Sequence, residues 1–255
     1  MLKGVPFACG VRIIMKYVEK YNVRWHDTDA NREVHPSGVL MFMQETGNRQ
    51  FEAADRPLDL IRDEDGVGFI LSRIAIEMLQ PIHAYEDIFV ETFTCAGRGY
   101  TFPRGGEIKR RGKVVARAMS QWALVRVADK SLVKAEDFPM SFGDEPEITL
   151  GMPLRFRLPK ELCWETVGER TIVFSDIDYN MHMNNTKYPD RLCDFLPDPA
   201  HTRVIGVSLA YCKEAAYGDT LRVERAEAAD GVFYIRTRRG EETCLEAMVK
   251  TQKIQ

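Results

Sequence analysis

Asp176-Ile-Asp-Tyr-Asn-Met-His-Met-Asn184 repeats a pattern that the chain has already used at Asp27-Thr-Asp-Ala-Asn-Arg-Glu-Val-His35. Both carry D-x-D-x-N, at an offset of 149 residues from Asp29 to Asp178, and Glu33 stands in the first where His182 stands in the second. Further landmarks keep the same order. Tyr85-Glu-Asp87 aligns with Tyr217-Gly-Asp219 at an offset of 132, Arg110-Arg-Gly-Lys113 with Arg238-Arg-Gly-Glu241 at 128, and Ala118-Met119 with Ala247-Met248. Landmarks in one order along both halves identify a duplicated unit, with a longer segment after the motif in the first copy.

The copies also share an order of expected elements. In the first, a strand over 17–25 leads into the motif. Leu40, Met43, Gly47 and Phe51 then fall at the three- and four-residue intervals of a helix's apolar stripe. Pro36, Ser37 and Gly38 sit where that helix begins. Residues 70–79 alternate as a strand does, and further strands are expected near 87–96, 102–110 and 113–127, with Arg104-Gly-Gly106 and Arg111-Gly112 as turn or bulge chemistry. The second copy offers a strand near 169–175, the motif, a helix carrying Tyr188, Leu192 and Phe195, then strands near 204–213, 219–228, 231–238 and 243–253. A helix followed by adjoining strands, twice over, reads as α+β: each copy an antiparallel sheet wrapped around one long helix, the two set side by side to cover open edges. The expected division is an extension over 1–15 (with Met15 as an alternative start), a first domain over 16–138, a proline-rich linker over 139–168 and a second domain over 169–255.

A hydrophobic share of 45% is ample for a core, and 29% charged residues suit a water-facing surface. With a net charge of −3 there is no electrostatic case for nucleic acid or an anionic membrane, and no apolar run approaches the ~20 residues of a bilayer span. Six scattered cysteines without a C-x-x-C pair indicate neither zinc nor a disulfide framework, and a reducing cytoplasm is the simplest setting.

The chemistry concentrates in the second motif. Asp178, Asn180 and His182 occupy alternate positions in a turn leading to a helix, whose unpaired N–H groups suit a developing oxyanion. Carboxylate, amide and imidazole are also ordinary turn, cap and core residues, and these three alone do not decide. Glu214, at the end of the apolar strand Ser208-Leu-Ala-Tyr-Cys-Lys-Glu214, is their expected companion, although a solvated strand-end glutamate has the same appearance. The local offset gives Ile82 as its first-copy counterpart, so the carboxylate and the imidazole are absent together from the first copy.

Asp178-Tyr-Asn-Met-His-Met-Asn-Asn-Thr-Lys-Tyr188 closely resembles the D-x-N-x-H-V-N-N-x-K-Y signature of the acyl-acyl-carrier-protein thioesterases of plant plastids and bacteria, and the resemblance runs from about Tyr17 to Ile254. Gly68-Phe-Ile-Leu-Ser-Arg73 looks like that family's strand after the first helix, and Leu209-Ala-Tyr-Cys-Lys-Glu214 like its L-E-Y-R-R-E. The resemblance implies two tandem hotdog domains and hydrolysis of a fatty acyl thioester carried on acyl carrier protein. It carries the catalytic positions onto Asp178, Asn180, His182 and Glu214. Many plant members have cysteine directly after the glutamate; here Ala215 stands there, which argues against a cysteine nucleophile. Direct attack by water is the expected mechanism, with Glu214 and His182 as the base pair, Asp178 orienting them or, less favoured, attacking the thioester itself, and Asn180 holding the oxyanion. No metal and no cofactor are expected.

Acyl-chain contacts are expected from Leu40, Met43 and Ile70 of the first copy, with Asn185 and Tyr188 completing the substrate site; each is equally a plausible core residue. The basic tip Arg110-Arg-Gly-Lys113 is either a contact for an acidic carrier or a solvated turn. Asp27-Thr-Asp29 resembles the D-T-D of single-domain CoA hotdog enzymes, which keeps acyl-CoA open as the carrier. A non-catalytic acyl-thioester sensor is the rival outside enzymes, and both a monomer and a homodimer fit two hotdogs in one chain.

Overall fold

The computed structural model describes residues 16–138, 140 and 143–254; the extension over 1–15 lies outside the described residues. The strands are β1 (Lys16–Asn22), β2 (Val67–Met78), β3 (Asp87–Thr94), β4 (Phe102–Arg110), β5 (Lys113–Arg126), β6 (Leu132–Val133), β7 (Glu165–Thr171), β8 (Thr202–Tyr211), β9 (Thr220–Ala229), β10 (Val232–Arg239) and β11 (Glu242–Lys253). The helices are α1 (Pro36–Ala53), α2 (Leu58–Asp65) and α3 (Tyr188–Cys193). Among the described residues no helix is long and apolar enough to cross a membrane.

The alternating strands join one antiparallel sheet in the order β1-β3-β4-β5-β2-β8-β11-β10-β9-β7, with β6 beside β5. That order is palindromic for a duplicated unit, each strand of one half mirrored by its copy. The centre is the β2–β8 ladder, where Ala75 faces Ser208, and where the pair Arg73–Ala210 on one side answers Glu77–Gly206 on the other. A bulge at Ser72 in β2 and another at Ile205 in β8 occupy equivalent places. The expected α+β architecture is therefore present as one continuous sheet.

Hydrogen bonding corrects the repeat register by one residue. Val34 N–H donates to the Ile82 carbonyl as Met183 N–H does to Ala215, and Tyr85 N–H donates to Val23 as Gly218 N–H does to Ile172. The left-handed residue in the connection is Tyr85 (φ 67°) in one half and Gly218 (φ 86°) in the other. The offset is thus 133 there (85 to 218), and 129 at the hairpins, where Arg110 pairs Lys113 and Arg239 pairs Glu242. The repeated tyrosines at 85 and 217 are a misleading match of letters. Glu214 consequently corresponds to Pro81, not to Ile82.

Three further expectations change. Gly105 and Gly106 lie inside β4 rather than in a turn, because a Cβ at Gly105 would come within 2.4 Å of the Phe93 ring and one at Gly106 within 2.7 Å of Met43 Sδ. The second helix is short: α3 has six residues against eighteen in α1, since Pro197-Asp-Pro199 follows and Asp198 turns left-handed (φ 47°). The strand expected near 169–175 runs over Glu165–Thr171. The proline-rich connector packs on the sheet face opposite the helices, with Ile148, Leu150 and Leu154 against Phe93, Cys95 and Met119. The helix α2, capped by left-handed Gly66, was not foreseen.

The halves are clasped at the start of α1. Ser37 N–H donates to Asp190 Oδ1 (3.0 Å), Asp190 N–H donates back to Ser37 Oγ (3.1 Å), and His35 Nδ1 lies 2.9 Å from Asp190 Oδ2. Burial lowers the basicity of His35, but the Asp190 carboxylate outweighs it and holds the imidazole above its ordinary value. A raised folded value stabilises below the unfolded histidine's ordinary ~6.5 and is lost as pH rises through the folded value. Thermal stability is therefore expected to fall across that window, and a melting series against pH should show the step vanish in His35→Gln.

Candidate functional site

Each motif folds on itself through its aspartate. Asp178 Oδ1 accepts from Asn180 N–H (2.9 Å) and Asp178 N–H donates to the His182 carbonyl (3.0 Å), with Met181 left-handed at φ 64°. Asp29, Asn31, Arg32 and Glu33 repeat this turn, with φ 62° at Arg32. Such a backbone is uncommon outside glycine and costs about 1–2 kcal/mol, so the turn is held by what surrounds it. Below it the Asp176 carboxylate is fully buried and accepts from Arg170 (3.1 Å to each oxygen), Arg191 (3.2 Å) and Val173 N–H (3.2 Å). Burial pushes that carboxyl up, and the Val173 N–H with Arg170 outweighs it, leaving Asp176 below the usual carboxylate range. Asn184 N–H donates to the Asp176 carbonyl, and the Asn184 side chain caps Thr186.

The turn delivers His182 to the segment beyond β8. A bridge between His182 and Ala216 sets the two backbones together, and His182 Nδ1 stands 3.3 Å from Glu214 Oε2. The histidine side chain is about one-third exposed (34%) and the glutamate 58%, so the pair meets solvent without being stranded in it. From the first half, Arg62 of α2 lies over the Tyr179 ring at 5.0 Å, and α1 packs on the turn Asn185–Lys187.

Of the expected site residues, the structure brings His182 and Glu214 together. Asp178 and Asn180 make the contacts that their first-copy counterparts make, and among the described residues neither side chain is hydrogen-bonded to His182 or Glu214. The Asn185 carbonyl accepts from Tyr211 Oη (3.0 Å), and Tyr188 is a buried core ring packed edge-on against Tyr211 (5.5 Å). Leu40 and Met43 line a cavity of about 70 Å³ between α1 and the first-half sheet. Ile70 is not among its lining residues; its neighbour Phe69 is, while Ile70 is 38% exposed. The internal two-fold equates Ile70 with Arg203, which is bonded to Glu33, and Glu33 is the counterpart of His182. Ile70 lies on the half-exposed surface of β2 and not in the cavity wall.

The larger cavity, about 470 Å³, lies over the first-copy motif, lined by Asp29, Asn31, Glu33 and Pro81. There Arg203 Nε donates to Glu33 (2.6 Å). Proline at 81 replaces Glu214, and proline at 36 replaces Asn185, deleting an N–H at the helix start. This is the roomier of the two cavities, while the His–Glu pair stands at the other motif. Among sequence signals, the paired Asp27 and Asp176 were the available clue to the buried anchor, and Arg62 had none.

Cys212 Sγ is turned toward the Ala210 carbonyl (3.5 Å), and crowding about the sulfur, then the Glu246 carboxylate, pushes the thiol up.

Family models for the acyl-ACP thioesterase N-terminal domain and the acyl-ACP thioesterase C-terminal domain match residues 15–138 and 165–251. The chain belongs to the acyl-ACP thioesterase family. It is thus a member of a family of thioester hydrolases. Similar in fold are the crystal structure of an acyl-ACP thioesterase from Bacteroides thetaiotaomicron (TM-score 0.80, 20% identity, covering 93% of this chain and 98% of that one) and the 12:0-ACP thioesterase from Umbellularia californica (TM-score 0.76, 15% identity, 94% and 98%). No curated protein sequence matches the chain.

Removing the buried carboxylate should loosen the motif from below. Asp176→Ala is expected to cost on the order of 2 kcal/mol or more in denaturant unfolding, moderated because Arg170 and Arg191 reach solvent. Asp176→Asn, which keeps the shape, should cost less.

Proposed function

We propose that this thioesterase hydrolyses fatty acyl thioesters on acyl carrier protein by direct water attack. The observation that carries the reading is the His182–Glu214 contact, formed by two residues that the first copy replaces with Glu33 and Pro81. Glu214 fixes His182 Nδ1 and leaves Nε2 to act on water. The water oxygen bonds to the acyl carbon while its proton passes to Nε2, and the carbonyl electron pair moves onto oxygen. Asn180 and the N–H of Asn185 receive that oxyanion. Collapse breaks the carbon–sulfur bond, and the departing thiolate takes the proton from His182, leaving free fatty acid and the carrier's thiol. Asp178 holds the turn in which these groups sit.

The carrier-protein assignment rests on the family, and exposed Lys213, next to Glu214 in sequence, and exposed Lys187, five residues after His182, supply basic groups for an acidic partner. Arg110 is engaged within the chain, donating to Glu86 and to the Pro81 carbonyl. The five described cysteines are free, which supports a reducing cytoplasm as the place of action. The alternative carrier, CoA, is tested by comparing both carriers with one acyl group.

In steady-state release of fatty acid from acyl carrier protein, Glu214→Ala and His182→Ala are each expected to lower kcat by at least ~10²-fold, with Cys212→Ser near wild type. Near-normal turnover in either of the first two would remove the base assignment. Binding of acyl carrier protein without any release would make the protein a sensor.

A further inference from the structure

The cavity between α1 and the first-half sheet contains a cation that an ordinary alkyl pocket does not need. Arg104 on β4 points to the helix face, its Nη1 donating to Gln50 Oε1 (2.5 Å) and Thr92 Oγ1 (2.9 Å), with the guanidinium over the Phe51 ring at 5.5 Å. Among the described residues no carboxylate lies within ion-pair distance of it, and no hydrogen bond engages its Nε or Nη2. The surface it retains faces the cavity, and burial pulls its pKa down to about 10, so it stays charged at neutral pH.

Two comparisons show that the position is specialised. At the hairpin offset of 129, Arg104 corresponds to Phe233, an ordinary core residue of the second half. Helix position 47 is glycine, where a Cβ would stand 3.4 Å from Arg104 Nη1, whereas the second helix ends at Cys193, before any equivalent position is reached. A second donor faces the same cavity: Gln44 Nε2 is buried and has no hydrogen-bond partner. Gln44 stands one helical turn before Asn48 and Gly47 on the same cavity wall of α1. Donors without acceptors among the described residues therefore line a narrow, largely apolar slot.

We propose that this cavity receives an acyl chain carrying a carboxylate at its far end, the thioester of a short α,ω-dicarboxylic acid, and that Arg104 is the specificity-determining residue. The inference rests on the thioesterase reading above. A planar guanidinium with free Nε and Nη2 presents the parallel pair of N–H donors that a carboxylate accepts from most strongly, and a hydroxyl uses only part of that fork. Burying such a cation without a counter-charge is unfavourable, and the substrate's own anion removes the penalty. A methyl-ended chain leaves Arg104 and Gln44 unmatched, which is the kind of mismatch that discriminates most steeply between substrates.

The test compares carrier-protein thioesters of dicarboxylic acids with methyl-ended acyl thioesters of equal length, in wild type, Arg104→Met and Arg104→Lys. Wild type is expected to favour the carboxyl-ended series by roughly tenfold or more in kcat/KM. Arg104→Met should reverse the order, and Arg104→Lys should recover only part of it. Preference of wild type for methyl-ended chains at every length, or an unchanged ratio in folded Arg104→Met, would overturn the proposal. Calorimetric titration of wild type with free dicarboxylic and monocarboxylic acids gives the same answer without turnover: tighter dicarboxylate binding supports the inference even if no thioester is cleaved, an outcome that would instead sink the thioesterase reading. Equal binding of the two acids overturns the inference alone.

Discussion

Everything in this molecule hangs on the ladder between β2 and β8. Ala75 opposite Ser208 places a two-fold axis through the sheet, and the ladder converts what would be two exposed strand edges into the middle of one sheet. Small residues there let the strands meet without a side chain intruding on the axis. Because β2 follows the helices of the first half and β8 follows those of the second, this junction also brings each motif against the other half's helix layer. The clasp of His35, Ser37 and Asp190 is one product of that arrangement; the stacking of Arg62 on Tyr179 is its partner on the catalytic side.

Symmetry makes the departures from it informative. The turn built by Asp178 and Asn180 is built equally well by Asp29 and Asn31, so the shared residues serve the backbone first. The halves separate at His182 against Glu33, Glu214 against Pro81, and Asn185 against Pro36, three changes that each remove a chemical group from one site. Arg203 then neutralises Glu33, which closes the first-copy site electrostatically while a large cavity survives above it. The interior diverges in the opposite sense: the first half carries a cation at Arg104 where the second has Phe233.

Much of this was legible in the chain, because a duplicated sequence is its own alignment. Period-two alternation located most strands to within a few residues, and the Leu40, Met43, Gly47, Phe51 stripe gave α1 its buried face. His182 and Glu214 stand out in the sequence as chemical groups that the first copy lacks. The errors have physical sources. Pairing tyrosine with tyrosine at 85 and 217 ignored that the conserved feature is a left-handed backbone, which Tyr85 and Gly218 satisfy with unlike side chains. Gly105 and Gly106 looked like a turn because glycine reports a need for space without saying whether the chain bends or a neighbour approaches. The length of α3 depends on where Pro197 and Pro199 stop it, and Ile70's exposure on a packing relation between halves.

The position of Arg104 follows from the same limit. In sequence it stands beside two glycines and reads as a turn residue; in the sheet those glycines admit Phe93 on one face and Met43 on the other, and β4 runs straight past them. Straightness is what turns Arg104 inward. Had the glycines bent the chain, the arginine would have reached water and carried no meaning. A core that accepts a guanidinium where its twin accepts phenylalanine forgoes stability that the phenylalanine supplies, and such a substitution persists where a bound anion recovers what burial costs. On this proposal the two halves divide the task by polarity as well as by place: the second holds the groups that move protons, and the first holds the charge that reads the far end of the chain.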